Sequence, residues 1–242
     1  MPYRRLPNTD KARLRALRTA IRRGAQQTYH KQVITFSTLR EAENFLNVFE
    51  KQSIMYKQTF ENQVNANKKY QQVLSNVRMY ISHFIQVFNL SVIRGEIKKE
   101  NKLLYQLDPD IHNLPDLSTE AAILKWGQNI IKGENERISQ GGPPIYNPTI
   151  AKVHVHYEMF KEYKSNQRLS QATTNRNWEE LVKLREKGDK IILDIWNQVE
   201  DFYKDYTPYQ KLTKCQKFGL VYYYRKNEKV LTPEDDIVQA GD

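Results

Sequence analysis

Seventy consecutive residues, Ala25 to Arg94, contain neither glycine nor proline. Turns draw on those two residues for positive φ and for a fixed φ near −65°, so a stretch this long without them is hard to fold as anything but helix. From Thr38 onward the apolar residues recur at alternating threes and fours: Leu39, Ala42, Leu46, Phe49, Tyr56 and Phe60, then Tyr70, Leu74, Val77, Ile81, Phe84 and Phe88. That is the heptad pattern of helices packing side by side. Its middle is polar, with Ser53, Gln63 and Asn67 at core positions.

A second stretch repeats the plan. It opens at Asn147-Pro148, a capping residue with proline in the first turn, and continues through Ile150, Val153, Tyr157 and Phe160, then Trp178, Leu181, Ile192, Ile195, Val199 and Phe202. Its centre is polar too, at Lys164, Gln167, Gln171 and Thr174. A shift of 108 places Tyr70 on Trp178, Val73 on Leu181, Phe88 on Trp196 and Asn89 on Asn197. Asn tolerates the left-handed turn conformation, and helices of about 26 residues suit a compact bundle. The pattern therefore predicts two long helical hairpins, 38–94 and 148–206, forming an all-α four-helix bundle. Two unbroken helices are the competing reading, favoured by the continuous register from Leu39 to Phe88.

Around this core the expected organisation has three parts. Residues 1–37 form a basic arm and connector, in which Asn8 caps a helix ending at Arg23 and Gly24, and Val33 to Phe36 run extended to a capping box at Thr38 and Glu41. Residues 38–206 form the bundle, with 95–147 as the joining segment. Within that segment, Ser118 to Gln140 reads as a helix with Ile123, Leu124, Ile130 and Ile131 inward, interrupted at Gly127 and Gly133. Residues 207–242 hold a helix begun by Thr207-Pro208 and closed by Gly219, then a β-hairpin of Leu220–Tyr224 with Val230–Thr232, and an acidic tail at Asp235 and Asp236.

Charge is concentrated at one end. Nine Lys and Arg against the single Asp10 lie in the first 31 residues, including Arg13, Arg23 and Lys31, and so account for eight of the ten net positive charges of the chain. Leu14, Leu17 and Ile21 share one face of the first helix, and Lys11, Arg15, Arg18 and Arg22 line a second about 90° away. Stripes of this kind neutralise successive phosphates. Arg4, Arg5, Lys11, Arg15, Arg18 and Arg22 are therefore the candidate nucleic-acid-binding residues. Tyr222, Tyr223 and Tyr224 before Arg225 and Lys226 add aromatic surface near cations, as single-stranded nucleic acid uses. The plainer alternative packs the arm against acidic side chains and buries the tyrosines.

The remaining chemistry-bearing residues point to no reaction. His154 and Glu158 are helical neighbours, but His156 lies on another face and no Glu-x-x-His pair exists. Cys215, the single cysteine, sits between Lys214 and Lys217, which would lower a thiol pKa if it were exposed, whereas a half-buried structural role is the simpler reading. Neither a phosphate-binding glycine loop nor a nucleophile elbow occurs. These readings predict no cofactor and no metal, and a non-enzymatic interaction or scaffold protein with a protein partner or a second copy of itself. No apolar run approaches the length of a membrane span, and the first residues lack a secretory signal, so the expected location is the cytoplasm, without membrane insertion.

Three phrases, Arg4-Arg5-Leu6-Pro7-Asn8-Thr9-Asp10, Gly141-Gly142-Pro143-Pro144-Ile145-Tyr146-Asn147-Pro148-Thr149-Ile150-Ala151-Lys152-Val153 and Ile195-Trp196-Asn197-Gln198-Val199-Glu200, resemble passages of an uncharacterised family of helical bacterial proteins. The resemblance spans most of the chain. It implies a bacterial origin and a helical fold, carries no assigned activity, and transfers no functional residue.

Overall fold

The computed structural model describes residues 2–27 and 32–234, so Lys31 and the acidic residues Asp235 and Asp236 lie outside the described residues. The described residues form α1 (Asp10–Gly24), α2 (Phe36–Ile93), a 3-10 helix (Lys99–Tyr105), α3 (Glu120–Ser139), α4 (Ile150–Phe202) and α5 (Pro208–Gln216), with two short strands, β1 (Tyr3–Arg4) and β2 (Tyr222–Tyr223). The mainly helical expectation holds.

The hairpins do not form: α2 is one helix of 58 residues and α4 one of 53. The reason lies in the cost of turning. Breaking a helix exposes about four N–H and four C=O groups at the new ends, whereas continuing it adds one hydrogen bond per residue. The polar residues that looked like turn-formers bond to the neighbouring helix instead. Thr174 donates to the Thr59 carbonyl at 3.3 Å, Gln52 donates to the Asn177 carbonyl at 3.1 Å, and Asn67 accepts from Gln167 at 2.9 Å.

The chain gathers into two compact units, residues 1–59 with 174–242 and residues 60–173. They share a plan, in which a helix capped by threonine lies against one stretch of α2 and one of α4. The cap is Thr9 on the Ala12 amide in the first unit and Thr119 on the Ala122 amide in the second. The start of α1 thus falls one residue beyond the expected Asn8. Likewise Thr35 rather than Thr38 receives the capping bond at the start of α2, and Thr38 sits inside the helix with its hydroxyl on Asp194 at 3.0 Å.

In the second unit, Tyr70, Val77, Ile81, Phe84 and Phe88 of α2 pack with Ile123 and Ile130 of α3 and Val153 and Phe160 of α4. Gly127 and Gly133 do not interrupt α3. They admit the Tyr157 ring and the Tyr105 ring, and a Cβ on Gly133 would meet the Leu104 carbonyl at 2.7 Å. A buried network closes this core. Glu134 accepts from Arg137, from the Tyr105 hydroxyl and from the Ile145 amide, while Arg137 also donates to the Pro143 carbonyl at 2.7 Å. Lys102, fully buried, donates to the Ile111 carbonyl at 2.5 Å, which ties the 3-10 helix to the loop after it. Burial lowers its pKa, with Asp108 and Asp110 opposing.

In the first unit, Ala42, Phe45 and Phe49 of α2 pack with Leu181, Ile192, Ile195, Trp196 and Val199 of α4 and with α1. The expected hairpin of 220–224 with 230–232 is replaced. β2 pairs antiparallel with β1, Tyr3 opposite Tyr223, while 230–232 are not in a strand. The N-terminal segment wins the pairing because Arg4 is also held from below, donating to Glu200 at 2.8 Å and to Asn197 at 2.5 Å.

Gly133→Ala should test the close approach in α3. Alanine is worth about 1 kcal/mol more than glycine in an open helix, but here the overpacking costs typically 1–3 kcal/mol. Thermal denaturation should therefore show a net loss of stability. A gain would mean that the Leu104–Tyr105 backbone yields easily.

Candidate functional site

The first helix decides the site through what it buries. Arg13, Ala16, Leu17, Ala20 and Gly24 face inward, spaced at three and four residues. Small side chains let α1 approach closely: a Cβ on Gly24 would run into Leu39, and one on Gly219 would lie 3.3 Å from the Ala16 carbonyl oxygen. The inward face is thus centred on Arg13 and Leu17, and not on Leu14, Leu17 and Ile21 as the apolar pattern predicts. Leu14 and Ile21 are half-buried at its edge. At 100° per residue, this rotates the Lys11, Arg15, Arg18 and Arg22 stripe to about 180° from the core.

Two crossed ion pairs hold that rotation. Arg13 forks onto Asp189 of α4 with two bonds of 2.8 Å, and Arg185 of α4 forks onto Asp10 of α1 with two more of 2.8 Å. The Asp10 contact raises the Arg185 pKa, and the Arg185 guanidinium lies 4.4 Å from the Trp178 ring centre. These planar, bidentate contacts suit arginine and would be lost with lysine.

The six candidate cations therefore divide. Arg4 is bound to Glu200 and Asn197 and serves the packing of β1. Arg18, although exposed, is paired with Glu50. Arg5, Lys11, Arg15 and Arg22 are exposed and have no acidic partner among the described residues. Lys11, Leu14, Arg15, Arg18, Thr19 and Arg22 line a surface groove of about 520 Å³. The span from Lys11 to Arg22 is about 16 Å at 1.5 Å per residue.

A second, more enclosed cavity of about 360 Å³ adjoins this face. Its inner wall contains Trp196, 1% exposed, with Ala16 and Leu220 also buried. Arg5, Asn8, Arg15, Gln216, Val221 and Tyr223 are its exposed lining residues. Arg15 belongs to both the cavity and the groove. The sequence pattern does not reveal this cavity, because its walls come from residues 5–19, Trp196 and residues 216–223; Gly219, with φ of 91°, is the local sign that the chain turns there.

The three consecutive tyrosines have separate uses. Tyr222 donates to Glu200 at 2.7 Å, and burial together with that carboxylate raises its pKa. The Tyr224 hydroxyl accepts from the Leu231 amide at 3.4 Å. Only Tyr223 presents an exposed ring, 6.1 Å from the equally exposed ring of Tyr3.

Cys215 is fully buried, and burial pushes its thiol pKa up, so the neighbouring lysines do not activate it. His154 lies 3.6 Å from Glu158, and His156 stacks on Tyr80 at 4.0 Å. Among the described residues no group of three or more His, Cys, Asp and Glu could hold a metal ion, and no helix is long and apolar enough to cross a membrane. Neither a family model nor a curated protein nor a solved structure matches this chain.

Arg13 and Arg15, two residues apart, should separate under urea denaturation. Arg13→Gln removes hydrogen bonds to a charged partner, each worth roughly 1.5–3 kcal/mol, and should lower stability by about 2 kcal/mol. Arg15→Gln should stay within about 0.5 kcal/mol of the parent, as exposed substitutions do. Equal losses would show that Arg15 also serves the packing.

Proposed function

We propose that this chain is a non-enzymatic binding protein whose ligand is nucleic acid, contacted through its phosphates by the outer face of α1. One observation carries the reading: Lys11, Arg15 and Arg22 on α1, with Arg5 just before it, stand exposed without an acidic partner among the described residues, and the three on α1 lie directly opposite a buried face whose own arginine is bound to aspartate. Cations grouped on one exposed helix face repel one another, and a phosphate backbone relieves that repulsion while releasing its condensed counterions. One strand presents a phosphate about every 3.4 Å of duplex axis, so a 16 Å row meets several.

A protein partner or a second copy of the chain is the other class of ligand. On its side stand Ile93, Leu103, Ile111 and Tyr146, all exposed in the second unit. Singly exposed apolar side chains are ordinary on protein surfaces, so they weigh less than a grouped row of cations without an acidic partner among the described residues. The bacterial origin implied by the three phrases belongs to the same proposal.

Binding to a labelled oligonucleotide, followed by fluorescence anisotropy across a salt series, tests the reading. Log affinity should fall linearly with log salt, by about 0.7 to 0.9 per phosphate neutralised. Lys11→Gln, Arg15→Gln and Arg22→Gln together should flatten that slope by about two to three units and leave the far-UV spectrum unaltered. Arg18 is left in place because Glu50 holds it. Absence of binding at low salt, or an unaltered slope in the triple variant, would overturn the proposal.

A further inference from the structure

Arg15 is shared by the cationic groove and the 360 Å³ cavity, so the two are continuous at a phosphate-binding side chain. We infer that the cavity receives one unstacked base of a single-stranded nucleic acid, whose flanking phosphates lie on Arg5 and Arg15. This rests on the nucleic-acid reading above and narrows it from any phosphate backbone to a single strand.

The chemistry of the walls carries the inference. A base needs a flat apolar or aromatic surface for its face and polar groups at its edge, with cations beside it for the phosphate. Trp196 and Leu220 supply buried apolar wall, Tyr223 an exposed ring, and Asn8 and Gln216 amide groups. Arg5 is placed by the β1–β2 pairing, its amide donating to the Val221 carbonyl at 3.2 Å, and Arg15 by the crossed ion pairs of α1. The volume lies at the lower end of small-ligand pockets, about 300–1,000 Å³, which suits one base and no more. A duplex keeps its bases stacked and offers only their edges in the grooves, so it reaches the cations and not the cavity. Charge complementarity therefore admits both forms of nucleic acid, and the cavity discriminates between them.

The experiment compares a labelled single strand of mixed sequence with its duplex, both at low salt, for the parent protein, Ala12→Trp and Tyr223→Ala. Ala12→Trp fills the cavity from α1, and Tyr223→Ala removes an exposed ring without touching the core, so one variant stands if the other fails to fold. The parent should prefer the single strand by about tenfold or more, within the range measured for stacking one base. Each variant should lose that preference while keeping the parent's salt slope, because the cations remain. Equal affinity of the parent for strand and duplex, or a preference kept in both variants, overturns the base-in-cavity inference. The phosphate reading is judged separately, by the slope of the Lys11, Arg15 and Arg22 triple variant. Adenosine monophosphate binding as tightly as the strand would overturn the strand as occupant. No binding of either nucleic acid by the parent would overturn both readings.

Discussion

The crossed ion pairs between α1 and α4 set the rotation of α1 about its own axis, and the character of its outer face follows from that rotation. With Arg13 on Asp189 and Arg185 on Asp10, the small residues Ala16, Ala20 and Gly24 meet the core and the cationic stripe turns directly away from it. Rotation by about 90°, which the apolar residues alone would choose, would bring the stripe to the flank of the helix. Partly buried pairs of this kind contribute little net stability, yet removing one partner leaves the other charge uncompensated. Their effect is on orientation.

The same division runs through the rest of the molecule. In the second unit, Glu134, Arg137 and Tyr105 bond to one another inside the core and to the Ile145 amide and Pro143 carbonyl, and Lys102 is capped by carbonyls. In the first unit, Glu200 takes both Arg4 and the Tyr222 hydroxyl, tying β1 and β2 to α4. Along α2 and α4 the polar central residues bond between helices in place of the apolar contacts the heptads would make. Polar groups buried in this way are committed to structure. Lys11, Arg15 and Arg22 on α1, exposed and without an acidic partner among the described residues, are the contrast.

The segment that reads as a basic arm is thus part of the folded first unit. β1 pairs with β2, the cavity forms among residues 5–19, Trp196 and residues 216–223, and Arg5, the residue after β1, is held by its amide bond to the Val221 carbonyl. A ligand-binding surface built on regular elements loses little entropy on binding. That supports a small, ordered site over a disordered tail that would fold only on contact.

The sequence by itself determined that the chain is helical, where α1, α3 and α5 begin to within a residue or two, and many of the buried residues of the long helices, from Ala42 and Phe49 to Ile195 and Val199, although Phe60, Trp178 and Phe202 of the same stripe are exposed and Phe45, Ile85 and Trp196 outside it are buried. Those follow from local rules: periodicity, capping and the lack of turn residues over a long span. It left open whether the polar centres turn or continue, because Asn67 and Gln167 become harmless in a helix only when each finds the other 100 residues away. It also could not say which cations are free. Arg13 and Arg15 look alike in a basic stripe, and the partner that removes Arg13 from it, Asp189, lies 176 residues along the chain. Tertiary structure decided the hairpins, the strand partner of Tyr223, the burial of Cys215 and the cavity, since each depends on groups that no local pattern brings together.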